Sequence, residues 1–462
     1  MAEVKEIVLT EGELDLIRGI DRDMEAMALR RQGALLMAIS SRGLKGNWDY
    51  RDGKLVLIEA AAPAAPAARS MPPIPDTPKS DAPKSDTRYE SSLAAALAAR
   101  DGEDFERAIR YAAEAMECAT DARAHTLAAA CHGFLEHAEE ALRLSEEAVR
   151  RWPNDAGAHH ERAFQLLRSR RWQEGWREWE YRNTLASARE CMAKSLPGLP
   201  EWDGKPLEGA KLLVIGEGGI GDTLQFSRYF QFVREAGGEV LFCGKSVQLA
   251  ELLRHTGAVW DAVGGDQPIP TVARAWAGLW SLPKLLGIDE PPPPLAIPRT
   301  RHVRDTAGKL RVGIHWRGDG SGPAHKWRPS NLDYWIPLSK VPGVELVSLQ
   351  LGETPRFCAS GLDPQCSLVE AAQAVASCDL VIAGDGVVAH LAGSLGVPTW
   401  LVLHRYGFWP WERDEFSSWY PDITVFRQAE GGWQDLFDRV AAKLFDRVSA
   451  KLKLRALIPG PR

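Results

Sequence analysis

No stretch of 18 consecutive apolar residues occurs anywhere in the 462-residue chain, so the sequence offers no membrane-spanning helix. The first residues lack the basic stretch followed by an apolar core that marks a secretion signal. Cysteine is sparse, with seven at 118, 131, 191, 243, 358, 366 and 378. None forms a Cys-x-x-Cys pair or a Cys/His cluster with zinc spacing. The odd, scattered set fits free thiols in a reducing cytoplasm, which is the expected location. Net charge is only −6, giving no overall pull toward nucleic acid or an anionic membrane.

What is present describes a folded, multidomain protein. Hydrophobic residues make up 45% and charged residues 26% of the chain. Its length predicts two to four domains. Tryptophan is abundant: there are 17, eleven of them after residue 259. Most are expected in the core or at internal interfaces, as large hydrophobes.

Five regions follow from the pattern. Residues 1–59 read as a small α+β unit of unknown role, helical over Glu11–Ser41, then a hairpin over Trp48–Leu57 with an Asp-Gly turn. Residues 60–87 carry seven prolines and hardly any large apolar side chain, as expected of a disordered linker. Residues 88–195 hold a repeat, because Asp121-Ala-Arg-Ala-His recurs as Asp155-Ala-Gly-Ala-His, 34 residues on. That is the period of tetratricopeptide helix pairs, and Trp152-Pro153-Asn154 ends a helix where such repeats place proline. The repeats serve either as a brace packed on the rest of the chain or as a groove for a protein partner. Residues 196–294 and 295–462 alternate apolar strands with helices, an α/β pattern of parallel sheets covered by helices. Pro291 to Pro294 divide the two halves. The near-duplicate Leu436–Lys443 and Leu444–Lys451 predicts an amphipathic closing helix.

Two strand-turn-helix segments concentrate the chemistry. In the first, Lys211–Ile215 is an apolar strand, Gly216-Glu217-Gly218-Gly219-Ile220-Gly221 a glycine-rich turn, and Asp222 opens a helix. As a dinucleotide fingerprint the match is poor, and Asp222 would aim a carboxylate at the phosphates. Asp222 is either a helix cap or, facing a cleft, a general base. In the second, strand Leu380–Ala383 leads through Gly384-Asp385-Gly386 into a helix over Val387–Leu395. Asp385 suits its N-cap, and His390 lies one turn inside. Free N–H groups and the helix dipole make that start a seat for an anion.

The ordered set of motifs resembles the heptosyltransferase-like glycosyltransferases (family 9). It is most similar to the bacterial branch in which tetratricopeptide repeats precede the transferase. The set comprises Gly221-Asp222, then Asp385-Gly386-x-x-x-His390-Leu391-Ala392-Gly393-x-Leu395-Gly396-x-Pro398. Pro200–Gly204, Gly313-Ile314-His315-Trp316, Ser348-Leu349-Gln350, Trp409-Pro410-Trp411, Trp419-Tyr420-Pro421 and Phe426-Arg427-Gln428 accompany it in the family order. The resemblance covers about Asp121 to Lys443.

The resemblance implies a GT-B architecture, two Rossmann-like halves facing a cleft. It implies an inverting, metal-independent transfer from a nucleotide-sugar donor to a glycan or protein acceptor, without a cofactor. Asp222 would be the base, with Gly218, Gly219, Gly221 and Gln225 binding substrate around it. Asp385, Gly386, Val387 and His390 would hold the donor diphosphate. Arg317, His325, Lys326 and Arg328 crowd the loop after Trp316, and either Lys326 or Arg328 is expected to meet phosphate. Gln350 and Trp316 are placed at the base or sugar. No acid-rich Asp-x-Asp pattern of metal-dependent transferases stands near these segments. One departure is evident: the family carries Thr or Ser where this chain has Gly386, so a hydroxyl worth ~1 kcal/mol is missing. A transferase fold without turnover, acting as a scaffold, is the alternative.

Overall fold

The computed structural model describes residues 6–8, 48–51, 54–57, 84–184, 198–298, 309–318, 326–406, 409–411 and 415–457. The chain divides into two compact units, Met1–Ser80 and Asp81–Arg462. In the first, β1 (Glu6–Val8), β2 (Trp48–Arg51) and β3 (Lys54–Leu57) form an antiparallel sheet of order β1-β3-β2. Trp48 pairs with Leu57 and Arg51 with Lys54, the register of a hairpin. The helix read over Glu11–Ser41 and most of the 60–87 linker lie outside the described residues.

The second unit opens with six helices: α1 (Lys84–Asp101), α2 (Phe105–Met116), α3 (Arg123–Phe134), α4 (Ala138–Arg151), α5 (Ala156–Arg168) and α6 (Trp172–Trp179). Helix α1 starts at Lys84, inside the stretch expected to be linker. Consecutive helices pack as antiparallel pairs, and small residues set the spacing. Ala108, Ala112, Ala115, Ala124 and Ala128 are fully buried between them. The turn inside each pair uses a residue of positive φ: Glu103 (63°), Glu136 (70°) and Arg170 (58°). Asp104 and Asp155 cap α2 and α5, accepting from Arg107 N at 3.0 Å and Ala158 N at 2.8 Å. A hollow of about 260 Å³ opens between α1, α3 and α5, lined in part by Leu97, Arg100, Arg123 and Glu161.

Two parallel sheets follow. The first has β4 (Lys211–Ile215), β5 (Glu239–Gly244), β6 (Asp261–Gly264) and β7 (Ala273–Gly278) in the order β6-β5-β4-β7. Helices α7 (Ile220–Phe226), α8 (Phe230–Glu235), α9 (Val247–Thr256) and α10 (Leu282–Leu286) connect and cover them. The second has β8 (Leu310–His315), β9 (Val344–Ser348), β10 (Ala359–Ser360), β11 (Leu380–Ala383), β12 (Thr399–Leu403) and β13 (Ile423–Arg427), in the order β10-β9-β8-β11-β12-β13. Its helices are α11 (Ile336–Ser339), α12 (Leu368–Ala376), α13 (Val387–Ser394) and α14 (Gly432–Leu457). Every strand pair in both sheets is parallel. Mixed α/β architecture with parallel sheets is thus as read, with β6, β7 and β10 in addition.

The core explains the tryptophans. Trp172, Trp176 and Trp179 of α6 are buried in one apolar cluster with Leu212, Phe226 and Phe230 of the first sheet layer and Leu391, Trp411 and Trp419 of the second. A second cluster lies under α14, where Leu436, Phe437, Val440 and Leu444 cover β8, β11 and β12. Among the described residues no helix is long and apolar enough to cross a membrane.

Candidate functional site

The carboxyl ends of β4, β8 and β11 bring the two chemistry-bearing turns together. After Ile215 the chain must reverse within four residues, and Gly218 does so at φ +73°. A β-carbon there would lie 2.6 Å from both Asp222 Oδ2 and the Trp280 ring, so only glycine fits. Gly219 is the N-cap of α7, and its N–H donates to Asp222 Oδ2 at 2.8 Å. Asp222 therefore sits at the third position of the helix and its carboxylate reaches back to the N-cap N–H, rather than occupying the cap itself. Burial raises the pKa of this carboxyl, the Gly219 N–H opposes the rise, and the nearby charge of Asp385 adds to it. The net direction is upward, toward a better proton acceptor.

Glu217 in the same turn was not singled out from sequence. Its carboxylate receives both Nε and Nη2 of Arg182, at 3.1 and 3.0 Å, and the Trp280 N–H at 2.9 Å. Arg182 is itself buried, donates to Ser281 Oγ at 2.9 Å, and lies over the Trp280 ring. The segment after α6 thereby anchors the glycine-rich turn.

In the second turn, Gly384 N–H donates to the His315 carbonyl at 2.9 Å, tying β11 to the end of β8. The N-cap of α13 is Gly386 in extended backbone (φ 166°), not Asp385 as the sequence suggested. Asp385 is turned to another task. Its carboxylate accepts from Trp411 Nε1 at 2.8 Å, and its carbonyl accepts from Arg328 Nε at 2.7 Å. Burial raises its pKa against the Trp411 hydrogen bond and the Arg328 charge. The first N–H groups of α13, beginning at Val387, have no partner within the helix by construction and point out of its start.

The structure separates the two basic candidates. Arg328 lies at the α13 turn. Lys326 Nζ is instead held by the turn between α1 and α2, donating to the Asp101 carbonyl at 3.0 Å and pairing with Glu103 at 3.2 Å. Trp327 Nε1 donates to the same Glu103 at 2.7 Å. Arg317 is exposed and paired with Glu353 at 2.7 Å, while its N–H donates to Gln350 Oε1 at 3.2 Å. Gln350 thus buttresses the end of β8. His325 lies outside the described residues.

Four expected contacts become interior packing. Trp316 is 1% exposed and its ring meets Trp335 at 6.4 Å in the core, so it offers no face to a sugar or base. Gln225 is buried, its carbonyl accepting Arg228 Nε at 2.6 Å. Gly221 and His390 are joined to each other: a β-carbon at Gly221 would stand 2.8 Å from the imidazole, so glycine lets α7 and α13 touch. His390 Nδ1 bonds Tyr420 Oη at 3.0 Å, its ring packs on Trp411, and burial pushes its pKa down to about 3. It is a neutral wedge between the halves. Arg228 completes this junction, donating from Nη1 to the carbonyls of Pro292 (2.6 Å) and Trp419 (2.8 Å). Only its burial distinguishes it from a surface arginine, and a lone sequence does not reveal that. Among the described residues no group of three or more His, Cys, Asp or Glu is placed to hold a metal ion.

No family model matches the chain. Among curated proteins it is similar to Protein FlbA of Caulobacter vibrioides, 27% identical over 336 residues, which take in 61% of this chain and 54% of that one. The chain therefore spans about half the length of the curated relative it matches. Among solved structures it is similar to a glycosyl transferase family 9 protein from Veillonella parvula, with 12% identity and a TM-score of 0.40 over 53% of this chain and 99% of the other. It is similar also to the ADP-heptose LPS heptosyltransferase II of E. coli, with 15% identity and a TM-score of 0.38 over 53% and 99% of the two chains.

Proposed function

We propose that the chain is a glycosyltransferase that moves a sugar from a nucleoside-diphosphate donor to a glycan or protein acceptor, with inversion and without a metal. The observation that carries this reading is the pairing of Asp222, a carboxyl of raised pKa, with the start of α13 and Arg328 at the adjoining strand ends. The acceptor hydroxyl oxygen forms a bond to the anomeric carbon while the carbon–oxygen bond to the diphosphate breaks. The hydroxyl proton passes to the Asp222 carboxylate. The bonding pair leaves with the diphosphate, where the α13 N–H groups and Arg328 stabilise it. The two parallel sheets correspond to the two halves of a GT-B enzyme. The helix pairs correspond to tetratricopeptide repeats, a reading supported by the recurring Asp-Ala-x-Ala-His and the recurring positive-φ turns.

Asp222→Asn tests the assignment. Turnover of a nucleotide-sugar should fall roughly 10²–10⁴-fold while donor affinity stays within about twofold, the usual effect of removing a general base. Turnover should also survive excess EDTA. Gly386, lacking the family's hydroxyl, supports a second reading as a scaffold that binds donor without turning it over. Binding without release of nucleotide product in the parent protein would establish that one.

A further inference from the structure

His315 ends β8 with its side chain facing the start of α13. It is only 5% exposed, and its Nδ1 has no hydrogen-bond partner among the described residues. A buried imidazole nitrogen left unpaired costs free energy that folding alone does not recover. Its aim is fixed by Gly386: a β-carbon added there would stand 3.3 Å from His315 Cε1 and 3.9 Å from Nδ1. The imidazole edge therefore occupies the side of the N-cap to which a Thr or Ser side chain at position 386 would project. Resting on the transferase reading above, we propose that His315 stands in for the absent hydroxyl and donates its Nδ1–H to a phosphate oxygen of the donor seated at the start of α13.

Burial pushes the imidazole pKa down to about 3, with the Arg328 charge contributing. His315 is therefore a neutral, one-proton donor, and Arg328 supplies the positive charge. This division suits a leaving diphosphate, which needs charge from one side and a directed hydrogen bond from another. It also gives Gly386 a reason: a larger residue there crowds the ring that has taken over its task.

The test is calorimetric titration of ADP, GDP, UDP and CDP into the parent, His315→Ala, His315→Asn and the double variant His315→Ala/Gly386→Thr, each verified as folded by circular dichroism. For the nucleotide the parent binds best, His315→Ala should bind about tenfold more weakly. The double variant should recover most of that loss, because the hydroxyl returns and the ring no longer obstructs it. His315→Asn, which keeps an N–H in the same space, should lose no more than about threefold, and it serves if the alanine variants unfold. Parent-like affinity in His315→Ala, or a loss that Gly386→Thr does not repair, overturns the assignment alone. A parent that binds none of the four overturns the transferase reading and His315 with it.

Discussion

At the scale of single residues, the site is a contest over one proton. The Asp222 carboxyl is disfavoured as an anion by burial and by Asp385, and favoured by the backbone N–H groups of Gly219 and Asp222. A base must be ionised to act, so turnover should fall as pH drops through a pKa above the usual carboxylate range. Asp385→Asn removes the repelling charge. It should move the acid limb of the kcat profile to lower pH, and a pH–rate series on both proteins checks this. The same shift has a stability counterpart with the opposite sense. A carboxyl whose folded pKa exceeds its unfolded value costs stability where it is ionised and regains it as pH falls through the folded pKa. Asp222→Asn should therefore be at least as heat-stable as the parent at pH 7. Local backbone form was legible, in the glycine-rich turn at Gly218 and the helix start at Asp222. Residue roles were illegible where they depend on which way a ring faces. Trp316 and His315 are neighbours at the end of β8, yet the first fills the core and the second meets the α13 start.

At the scale of elements, continuous apolar runs made buried strands readable, as at Lys211–Ile215 and Leu380–Ala383, whose ends the structure reproduces. The missing ones have physical causes. β10 is only Ala359–Ser360, and β6 (Asp261–Gly264) and β7 (Ala273–Gly278) mix glycine, alanine and charged residues too evenly to stand out. Helix α13 illustrates a cap that composition misplaces. An Asp beside a helix start normally caps it, but here Trp411 claims the Asp385 carboxylate and glycine takes the cap. Gly386→Pro is the sharp test of that turn. Proline fixes φ near −65° whereas the turn uses 166°, and it deletes an N–H. Nucleoside-diphosphate affinity should fall by at least tenfold in calorimetry, with far-UV circular dichroism nearly unchanged.

For the whole molecule, the helical segment is not an independent attachment. The α6 indoles lie in one cluster with both sheets, Arg182 holds the Glu217 carboxylate of the glycine-rich turn, and the α1–α2 turn holds Lys326. The sequence read as helical repeats followed by two α/β halves, and the structure has consecutive helix pairs followed by two parallel sheets. Nothing in that pattern indicated that the Lys326 side chain, expected at phosphate, would be claimed by Glu103 more than 200 residues earlier. Trp176 lies at the centre of this junction, edge-on to Phe226 and Trp419. Trp176→Ala should cost ~3–5 kcal/mol. It should lower the urea midpoint of the sheet region and the helices together, whereas a lowered helical transition alone would show that the segments unfold separately.

The placement of two indoles gives the protein a built-in optical gauge. Trp280 borders the Gly218 turn, and Trp411 donates to the Asp385 carboxylate at the opposing one. Indole emission responds to the local electric field. An anion arriving at the start of α13 alters the field at Trp411 first, and a charge arriving beside the glycine-rich turn registers at Trp280. With each replaced by phenylalanine in turn, the fluorescence change that is lost assigns the response to one turn or the other, without an added label.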